Sequence, residues 1–390
     1  MPVSFQLAKI PKILFGTGNI QYLDKEILQF GNNVLIVTGK ASFSGKTKGM
    51  ELFDNLSKSG ITARYVTVES EPSVTLIDSV CQSFNSIAID VVVAIGGGSV
   101  LDAGKAISAM LGTEGSVKDY LEGVGTKIHS GAKIPFIAIP TTSGTGSETT
   151  SNAVISEVGE HGFKKSLRHP NFIPETAIVD PELTISCPQS LTGAAGLDAF
   201  TQLLESYLST KASPMTDLFA FEGICHIVSG LKRSFDDGND LEARSSLAYA
   251  SMLSGITLTN AGLGTIHGFA SPIGAYFYIP HGVVCGTLMA TCNNFTVNKL
   301  RKEDPNNQAL KKYAGIGKLF ANEFDKPDDF YIDLLIDKLY ELTESLSVPK
   351  LGAFGIKESD FEKIISSTDN KNNPIHLSAD EMYLILQQRL

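Results

Sequence analysis

The sequence predicts an α/β domain with a mostly parallel sheet, followed by a domain built only of helices. Short apolar runs alternate with helical segments up to about residue 180, which is the pattern of a parallel sheet covered by helices. Beyond residue 188 the periodicity is helical and strand candidates are few. Because 390 residues exceed what one typical core accommodates, we expect two domains, residues 1–185 and 186–390.

The α/β half is placed element by element from its apolar runs. The run NVLIVT (33–38) is rich in β-branched residues, and DVVVAI (90–95) is the strongest strand candidate in the chain. Both are expected to be buried parallel strands. The other predicted elements of this half are strands at 12–15, 63–68, 135–140 and 177–180 and helices at 19–30, 48–59, 72–87 and from 100 onward.

The helical half is predicted from apolar residues that recur at helical spacing. On the first of its helices, Asp198 and Gln202 are four residues apart and therefore share one face. The predicted helices span residues 191–208, 213–229, 240–257, 308–320 and 332–345.

Charge and cysteine usage exclude several classes of function. A formal net charge of −10 argues against nucleic acid or an anionic membrane surface as the main partner. Five cysteines, an odd number without a CxxC pair, argue against a disulfide framework and fit a reducing cytosol. No apolar run approaches 18 residues and the N-terminus lacks a long apolar segment, so we expect a cytoplasmic protein without a membrane span.

Two loops that follow strands are candidates for a phosphate or ribose site. Gly96-Gly97-Gly98-Ser99 joins a strand to a helix N-terminus, where exposed N–H groups and partial positive charge favour a diphosphate. This turn is not the GxGxxG fingerprint, and the alternative is that glycine only permits a tight turn. The loop TTSGTGSE (141–148) offers hydroxyls to a ribose or phosphate, or else is a polar surface loop.

The stretch from Asn260 to His281 contains two histidines beside abrupt chain reversals, His267 and His281. Together with Asp198 they form a candidate site for a borderline divalent cation such as iron(II) or zinc. The alternative treats both as ordinary structural histidines and Asp198 as a buried or capping carboxylate.

Four segments together resemble the iron-containing (group III) alcohol dehydrogenase family: DVVVAIGGGSVLDAGKAI, IAIPTTSGTGSE, GLDAFTQLLESY and NAGLGTIHGFASPIGAYFYIPHG. They follow the order of the family across most of the chain. The resemblance implies a dinucleotide-binding N-terminal domain and a helical C-terminal domain, a dehydroquinate synthase-like architecture with the active site in the cleft. It also implies hydride transfer between NAD(P)(H) and an alcohol, aldehyde or ketone, with a divalent metal as Lewis acid.

The resemblance implies roles for individual residues. Asp198, His267 and His281 would occupy three of the four metal-ligand positions of the family. The residues that would bind or adjoin the cofactor are Gly97, Gly98, Ser99, Asp102, Thr141, Thr142, Ser147 and Lys164.

Two positions depart from the family pattern. Gln202 stands where the fourth ligand is usually His, and a carboxamide is a weaker donor than imidazole for iron(II) or zinc. The ion would be bound with Gln202, bound by three residues and water, or lost. Ser271 replaces a second common His near the substrate, so a proton relay would run through Ser271, the cofactor ribose or water. His267 and Ser271 are therefore the candidate catalytic residues.

The end of the strand at 33–38 bears on the choice of cofactor. NAD-preferring members often carry Asp there, which binds the adenosine ribose and repels a 2′-phosphate. This chain has Gly39, followed by Lys40, Ser42 and Ser44, and Lys40 is able to pair with a phosphate. We therefore expect NADP(H) over NAD(H); the alternative is that Lys40 faces solvent and both cofactors are accepted.

Three other functions are compatible with the sequence. One is a metal-independent carbonyl reductase similar to the maleylacetate reductases, and another is a binding protein that has lost the metal. The third is a non-redox lyase in the manner of dehydroquinate synthase, which needs a basic cluster, whereas residues 255–281 contain no Lys or Arg. The resemblance also implies a homo-oligomer, a dimer or larger, acting on a small alcohol or aldehyde.

Overall fold

The first half of the chain is built on a six-stranded sheet in a computed structural model that describes residues 4–40 and 47–390. The strands lie in the order β1-β8-β5-β4-β2-β3, and every neighbouring pair is parallel. The predicted α/β fold is thereby confirmed. The strands are β1 (Lys12–Phe15), β2 (Asn33–Gly39), β3 (Thr62–Val68), β4 (Val91–Gly96), β5 (Phe136–Pro140) and β8 (Thr176–Val179).

The central strands are continuously apolar because both faces of the sheet are covered. Successive side chains alternate between the two faces, so Val34 and Ile36 enter one core and Leu35 and Val37 the other. The covering helices are α1 (Leu23–Leu28), α2 (Thr47–Lys58), α3 (Val74–Phe84) and α4 (Gly98–Met110). The helix predicted at 19–30 is divided into a 3₁₀ turn, Asn19–Tyr22, and α1.

An antiparallel hairpin of β6 (Asn152–Glu157) and β7 (Phe163–Arg168) was not predicted from the sequence. Its second strand reads FKKSLR, which lacks the apolar alternation of a strand half-buried in a core. The hairpin lies between α4 and α8, so tertiary contacts rather than local pattern determine it.

The second half contains only helical elements between residues 181 and 390. Helix α5 is buried along most of its length and packs against α6, α7 and α9. The five predicted helices are present with ends shifted by up to seven residues. No described helix is long and apolar enough to cross a membrane. The helices are α5 (Gln189–Leu208), α6 (Pro214–Asp236), α7 (Leu241–Ala261), α8 (Thr265–Tyr276), α9 (His281–Glu303), α10 (Gln308–Gly317), α11 (Asp328–Ser345), α12 (Phe361–Ser366) and α13 (Ala379–Gln388).

The carboxyl edge of the sheet faces the helical half. The loop after β5 packs so closely on α5 that a Cβ atom added to Gly144 would lie 2.8 Å from the Cβ of Ala195. Ligands of parallel α/β sheets bind at this edge, so the functional site is expected in the cleft between the two halves. A domain boundary at residue 185 stays a prediction.

Candidate active site

The N-terminus of α4 opens into the cleft. Gly98 and Ser99 line a cavity of about 240 Å³ that also reaches His267 and His281. A Cβ atom on Gly98 would lie 2.5 Å from the Cγ2 atom of Thr145, so close packing requires glycine here. The glycine turn therefore serves both interpretations: it permits a tight approach, and it leaves the N-terminal amides of a 13-residue helix free to face an anion.

A buried ion cluster fixes the loop that follows β5. The Lys105 ammonium donates to the carbonyl and hydroxyl oxygens of Ser147 at 2.7 and 3.1 Å and to the Thr150 hydroxyl at 2.8 Å. The Ser147 hydroxyl donates to Asp102 Oδ1 at 2.5 Å, and Asp102 Oδ2 accepts from the Val154 amide at 3.0 Å. Burial lowers the pKa of Lys105 to about 8 and raises that of Asp102. Asp102 and Ser147 line the cavity, but both are held by these bonds.

The remaining cofactor residues of the sequence prediction differ in their positions. Thr142 lines a second cavity, with Gly97 and the N-terminus of α4, whereas the buried Thr141 lines neither cavity. Lys164 lines the first cavity on β7, and its ammonium lies 2.6 Å from Glu71 Oε1. Burial acts to raise the pKa of Glu71, but the charge of Lys164 lowers it overall.

The end of β2 carries the residues predicted to choose between cofactors. Gly39 is buried as the last residue of β2. The Lys40 ammonium pairs with Glu69 Oε1 at 2.8 Å, and both side chains are about two-thirds exposed. Lys40 is thus already engaged by a carboxylate. Ser42 and Ser44 lie outside the residues that the structure describes.

Four side chains from three helices bring one donor atom each to a common point: Asp198 on α5, His267 on α8, and His281 and Cys285 on α9. Their ligand atoms all lie within 4.8 Å of one another. Asp198 Oδ1 is buried without a hydrogen-bond partner and lies 3.3 Å from His267 Nε2 and 3.7 Å from His281 Nε2. Cys285 Sγ lies 3.6 and 3.8 Å from the same two nitrogens.

These separations fit a tetrahedral cation site. With metal–nitrogen and metal–oxygen bonds of about 2.0 Å and a metal–sulfur bond of about 2.3 Å, tetrahedral donors lie about 3.3 to 3.5 Å apart. Four of the six donor separations, 3.3 to 3.8 Å, are close to this, and all six are within 4.8 Å. Imidazole, carboxylate and thiolate are the ligands of zinc, and imidazole also suits iron(II). The residues present therefore fit a divalent cation.

Glu205 supports the cluster from α5. Its Oε2 accepts from His267 Nδ1 at 2.7 Å and its Oε1 from the Ile266 amide at 2.7 Å. A carboxylate that holds Nδ1–H leaves Nε2 of the same ring free to ligate a metal. Burial would lower the pKa of His267, but the charges of Cys285 and Glu205 raise it well above its usual value. Burial lowers the pKa of His281 to about 4, so this ring is neutral at pH 7, as a ligand must be.

Gln202 and Ser271, the two departures from the family pattern, also line the cavity. The Gln202 oxygen accepts from the Ser254 hydroxyl at 2.7 Å, so a neighbour on α7 already engages it. The Ser271 hydroxyl donates to the His267 carbonyl at 3.3 Å, a long bond that leaves it able to turn towards the cavity.

Cys285 and Lys371 were missed in the sequence. Cys285 follows His281 by four residues, so both lie on one face of α9, and this spacing is the signal that was available. Lys371 lines the cavity with Lys164 and Arg168, which shows that cations reach the site although residues 255–281 contain none. No local signal in the sequence marks Lys371.

Comparisons with known proteins agree along the whole chain. Residues 11–181 match the family model "Iron-containing alcohol dehydrogenase", and residues 192–390 match "Fe-containing alcohol dehydrogenase family, C-terminal". Alcohol dehydrogenase 4 of Schizosaccharomyces pombe is 33% identical over 100% of this chain and 90% of its own. NADPH-dependent butanol dehydrogenase of Clostridium saccharobutylicum is 30% identical over 96% and 95%. A solved 1,3-propanediol oxidoreductase superposes with a TM-score of 0.89 at 28% identity, covering 100% of both chains.

Proposed function

Because the chain belongs to the iron-containing alcohol dehydrogenase family, we propose that it transfers hydride between a nicotinamide cofactor and a small alcohol or aldehyde. The observation that carries this proposal is the arrangement of one cavity. The metal-ligand candidates His267 and His281 line it together with Gly98 and Ser99 at the N-terminus of α4. A diphosphate at α4 would place the rest of the cofactor along this cavity, towards the cation site.

When bound, a divalent cation supplies Lewis-acid stabilisation of an alcohol or carbonyl oxygen, and the nicotinamide supplies hydride chemistry. The chain's own part is to hold these groups in position and to exclude water. Glu205 keeps the Nε2 atom of His267 directed at the cluster. In the reductive direction the carbonyl carbon gains hydride and its oxygen gains a proton. We propose that the Ser271 hydroxyl relays that proton, receiving one from water as it gives one up.

We propose that Asp198, His267, His281 and Cys285 hold the cation, with Cys285 in place of Gln202. The donor separations within this set support the assignment, as does the bond that Ser254 already donates to Gln202. The result is a site with one thiolate, which favours zinc over iron(II).

Cobalt(II) substitution tests the thiolate directly. The protein loaded with cobalt(II) is expected to show a thiolate-to-metal charge-transfer band, which Cys285→Ser abolishes. Cys292→Ser is the matched control, because Cys292 is also buried on α9 but lies outside the cluster. Retention of the band in Cys285→Ser would show that Cys285 is not a ligand. Loss of the metal in Gln202→Ala alone would instead assign Gln202 as the fourth ligand.

We propose NADP(H) as the preferred cofactor, with NAD(H) also accepted. No carboxylate stands at residues 39 and 40, but Glu69 pairs with Lys40 and competes with a 2′-phosphate for it. Glu69→Ala is expected to raise the ratio of kcat/KM for NADPH over NADH, and Lys40→Ala to lower it. Opposite changes, or none, would refute a role for Lys40.

The test of the function is the consumption of NADPH or NADH in the presence of small aldehydes by protein with a measured metal content. We expect near-stoichiometric zinc or iron and turnover that Asp198→Ala abolishes together with the metal. Metal-free protein that still reduces aldehydes would support the metal-independent reductase, and recycling of the nicotinamide without net consumption would support the lyase.

We also propose a cellular compartment and an oligomeric state. All five cysteines are free, which supports a reducing cytosol as the compartment. A homo-oligomer, a dimer or larger, would form through an edge of the parallel sheet, where β1 and β3 are the terminal strands. Light scattering of the purified protein measures this directly.

A further inference from the structure

Lys371 brings a positive charge to the metal end of the cavity from the segment between α12 and α13. Its side chain lines the same cavity of about 240 Å³ as His267, His281 and Ser271. Burial lowers the pKa of Lys371, and the largest opposing effect is the charge of Glu205, which supports the cation cluster. Lys371 therefore adjoins the place where a substrate would bind.

The segment that carries Lys371 is fixed on the helices around the site. Asn370 Oδ1 accepts from the Thr265 hydroxyl of α8 at 3.1 Å, and the Asn372 amide donates to the Leu263 carbonyl at 3.1 Å. Asn373 Nδ2 donates to the Thr296 hydroxyl of α9 at 3.4 Å. The residues on both sides of Lys371 are thus hydrogen-bonded to the surrounding structure, so Lys371 occupies a defined position.

The backbone at Lys371 is in the left-handed region, with φ at +50°. Few residues other than glycine adopt this conformation, and those that do often lie at ligand-binding or catalytic sites. The hydrogen bond from the Lys371 amide to Asp369 Oδ1 at 2.9 Å supports the conformation locally. The structure therefore holds this side chain at a cost in backbone energy.

Among the residues that the structure describes, Lys371 is the one lysine or arginine of this cavity that forms no ion pair. Lys164 pairs with Glu71 at 2.6 Å and Arg168 with Glu122 at 2.9 Å. Two carboxylates act on the charge of Lys371: Glu205 is already bonded to His267 and to the Ile266 amide, and Asp369 accepts from the Lys371 backbone amide. Burial lowers the pKa of Lys371, so its ammonium lies in a poorly hydrated place where a bound anion would stabilise the charged form.

We propose that Lys371 binds the anionic group of the substrate, so that the enzyme acts on small aldehydes or ketones that carry a carboxylate, sulfonate or phosphonate. This inference rests on the proposed function. An ammonium group and an anion form a strong charge-assisted hydrogen bond, and the ligand supplies the counter-charge that the protein lacks. Because Lys371 and the cation cluster line one small cavity, the two ends of a single short molecule reach both.

The test compares anionic aldehydes with neutral aldehydes of similar chain length. We measure kcat/KM with 4-oxobutanoate and its neutral analogue 4-oxobutanamide, and with sulfoacetaldehyde and propanal, for the metal-loaded enzyme. The wild-type enzyme is expected to prefer the anionic member of each pair. Lys371→Met is expected to lower kcat/KM for the anionic aldehydes by roughly 10- to 100-fold, while the neutral ones change by less than about threefold. Lys371→Arg should recover most of the loss.

Lys311→Met is the matched control, because Lys311 is exposed on α10 and forms no ion pair among the described residues. Equal or better turnover of the neutral aldehydes by the wild-type enzyme would overturn the inference. An equal loss for both members of a pair, or a rise in KM for the cofactor with propanal, would assign Lys371 to folding or to the cofactor. Absence of all aldehyde turnover would instead refute the proposed function itself.

Discussion

Replacing Glu205 by Gln tests whether the buried carboxylate orients a metal ligand. Glu205 now accepts two hydrogen bonds of 2.7 Å, one from His267 Nδ1 and one from the Ile266 amide. A carboxamide has one oxygen and one NH₂ group, so it satisfies one of these donors and faces the other with N–H. If its oxygen remains on Ile266, the His267 ring must move its proton to Nε2, the atom that points at Asp198 and Cys285.

The magnitude follows from the loss of that orientation. Removing a carboxylate that holds a metal-ligating His typically weakens metal binding by roughly 10- to 100-fold, which corresponds to about 1.4 to 2.7 kcal/mol. We expect a loss of this size for zinc in Glu205→Gln, measured by competition with a chromogenic chelator. The affinity measurement needs no turnover, so it separates metal binding from catalysis.

Glu222→Gln is the control for this measurement. Glu222 also contacts a histidine, since its Oε1 lies 3.5 Å from His226 Nε2, but Glu222 is exposed on α6 and lies outside the cation cluster. Its replacement is expected to leave zinc affinity unchanged. An affinity of Glu205→Gln within threefold of the wild-type value would refute the argument that Glu205 determines which nitrogen of His267 is free.

Two further predictions concern stability. Glu148 is fully buried, and burial raises its pKa to about 7, so the stability associated with its neutral form is present below about pH 4.5 and is lost as the pH rises through 7. Glu148→Gln stays neutral, so its unfolding free energy should fall less between pH 5 and 8 than that of the wild type. The difference, measured by urea titration, should reach up to roughly 3 kcal/mol. The same change of unfolding free energy with pH in both proteins would contradict this. A Cβ atom on Gly268 would collide with the backbone carbonyl of Asp369, so Gly268→Ala should lower the Tm and displace the segment that carries Lys371. Gly315→Ala on α10 meets no atom within 4 Å and should be neutral or stabilising by up to about 1 kcal/mol in the same melting experiment.

Much of the fold was predictable because its strongest elements follow from local pattern. Strands β2 and β4 are apolar at consecutive positions, since each is covered on both faces, and α3 and α10 repeat apolar residues at helical spacing. The β6–β7 hairpin was not predictable in this way. Its side chains are mixed, and it becomes a pair of strands through its packing between α4 and α8.

The candidate site was predicted in part. His267 and His281 were identified from their residue type and their positions beside chain reversals, and Asp198 as a carboxylate on a helix face. Their donor atoms converge in the structure. Their role as metal ligands, like that of the cofactor residues, is a proposal with stated tests. Cys285 was not predicted, because its spacing of four residues from His281 indicates a shared helix face but not which groups that face meets.

The sequence by itself determined the order of the parallel strands and of five helices of the second half, the glycine turn before α4 and the family to which the chain belongs. These depend on residues that are neighbours along the chain, where helical and strand periodicities act directly. Only the tertiary structure brought Cys285 into contact with His267 and placed Lys371 in the cavity with both histidines. Lys371 lies about a hundred residues from His267, and such distant groups meet only when helices pack, because packing sets which faces approach one another.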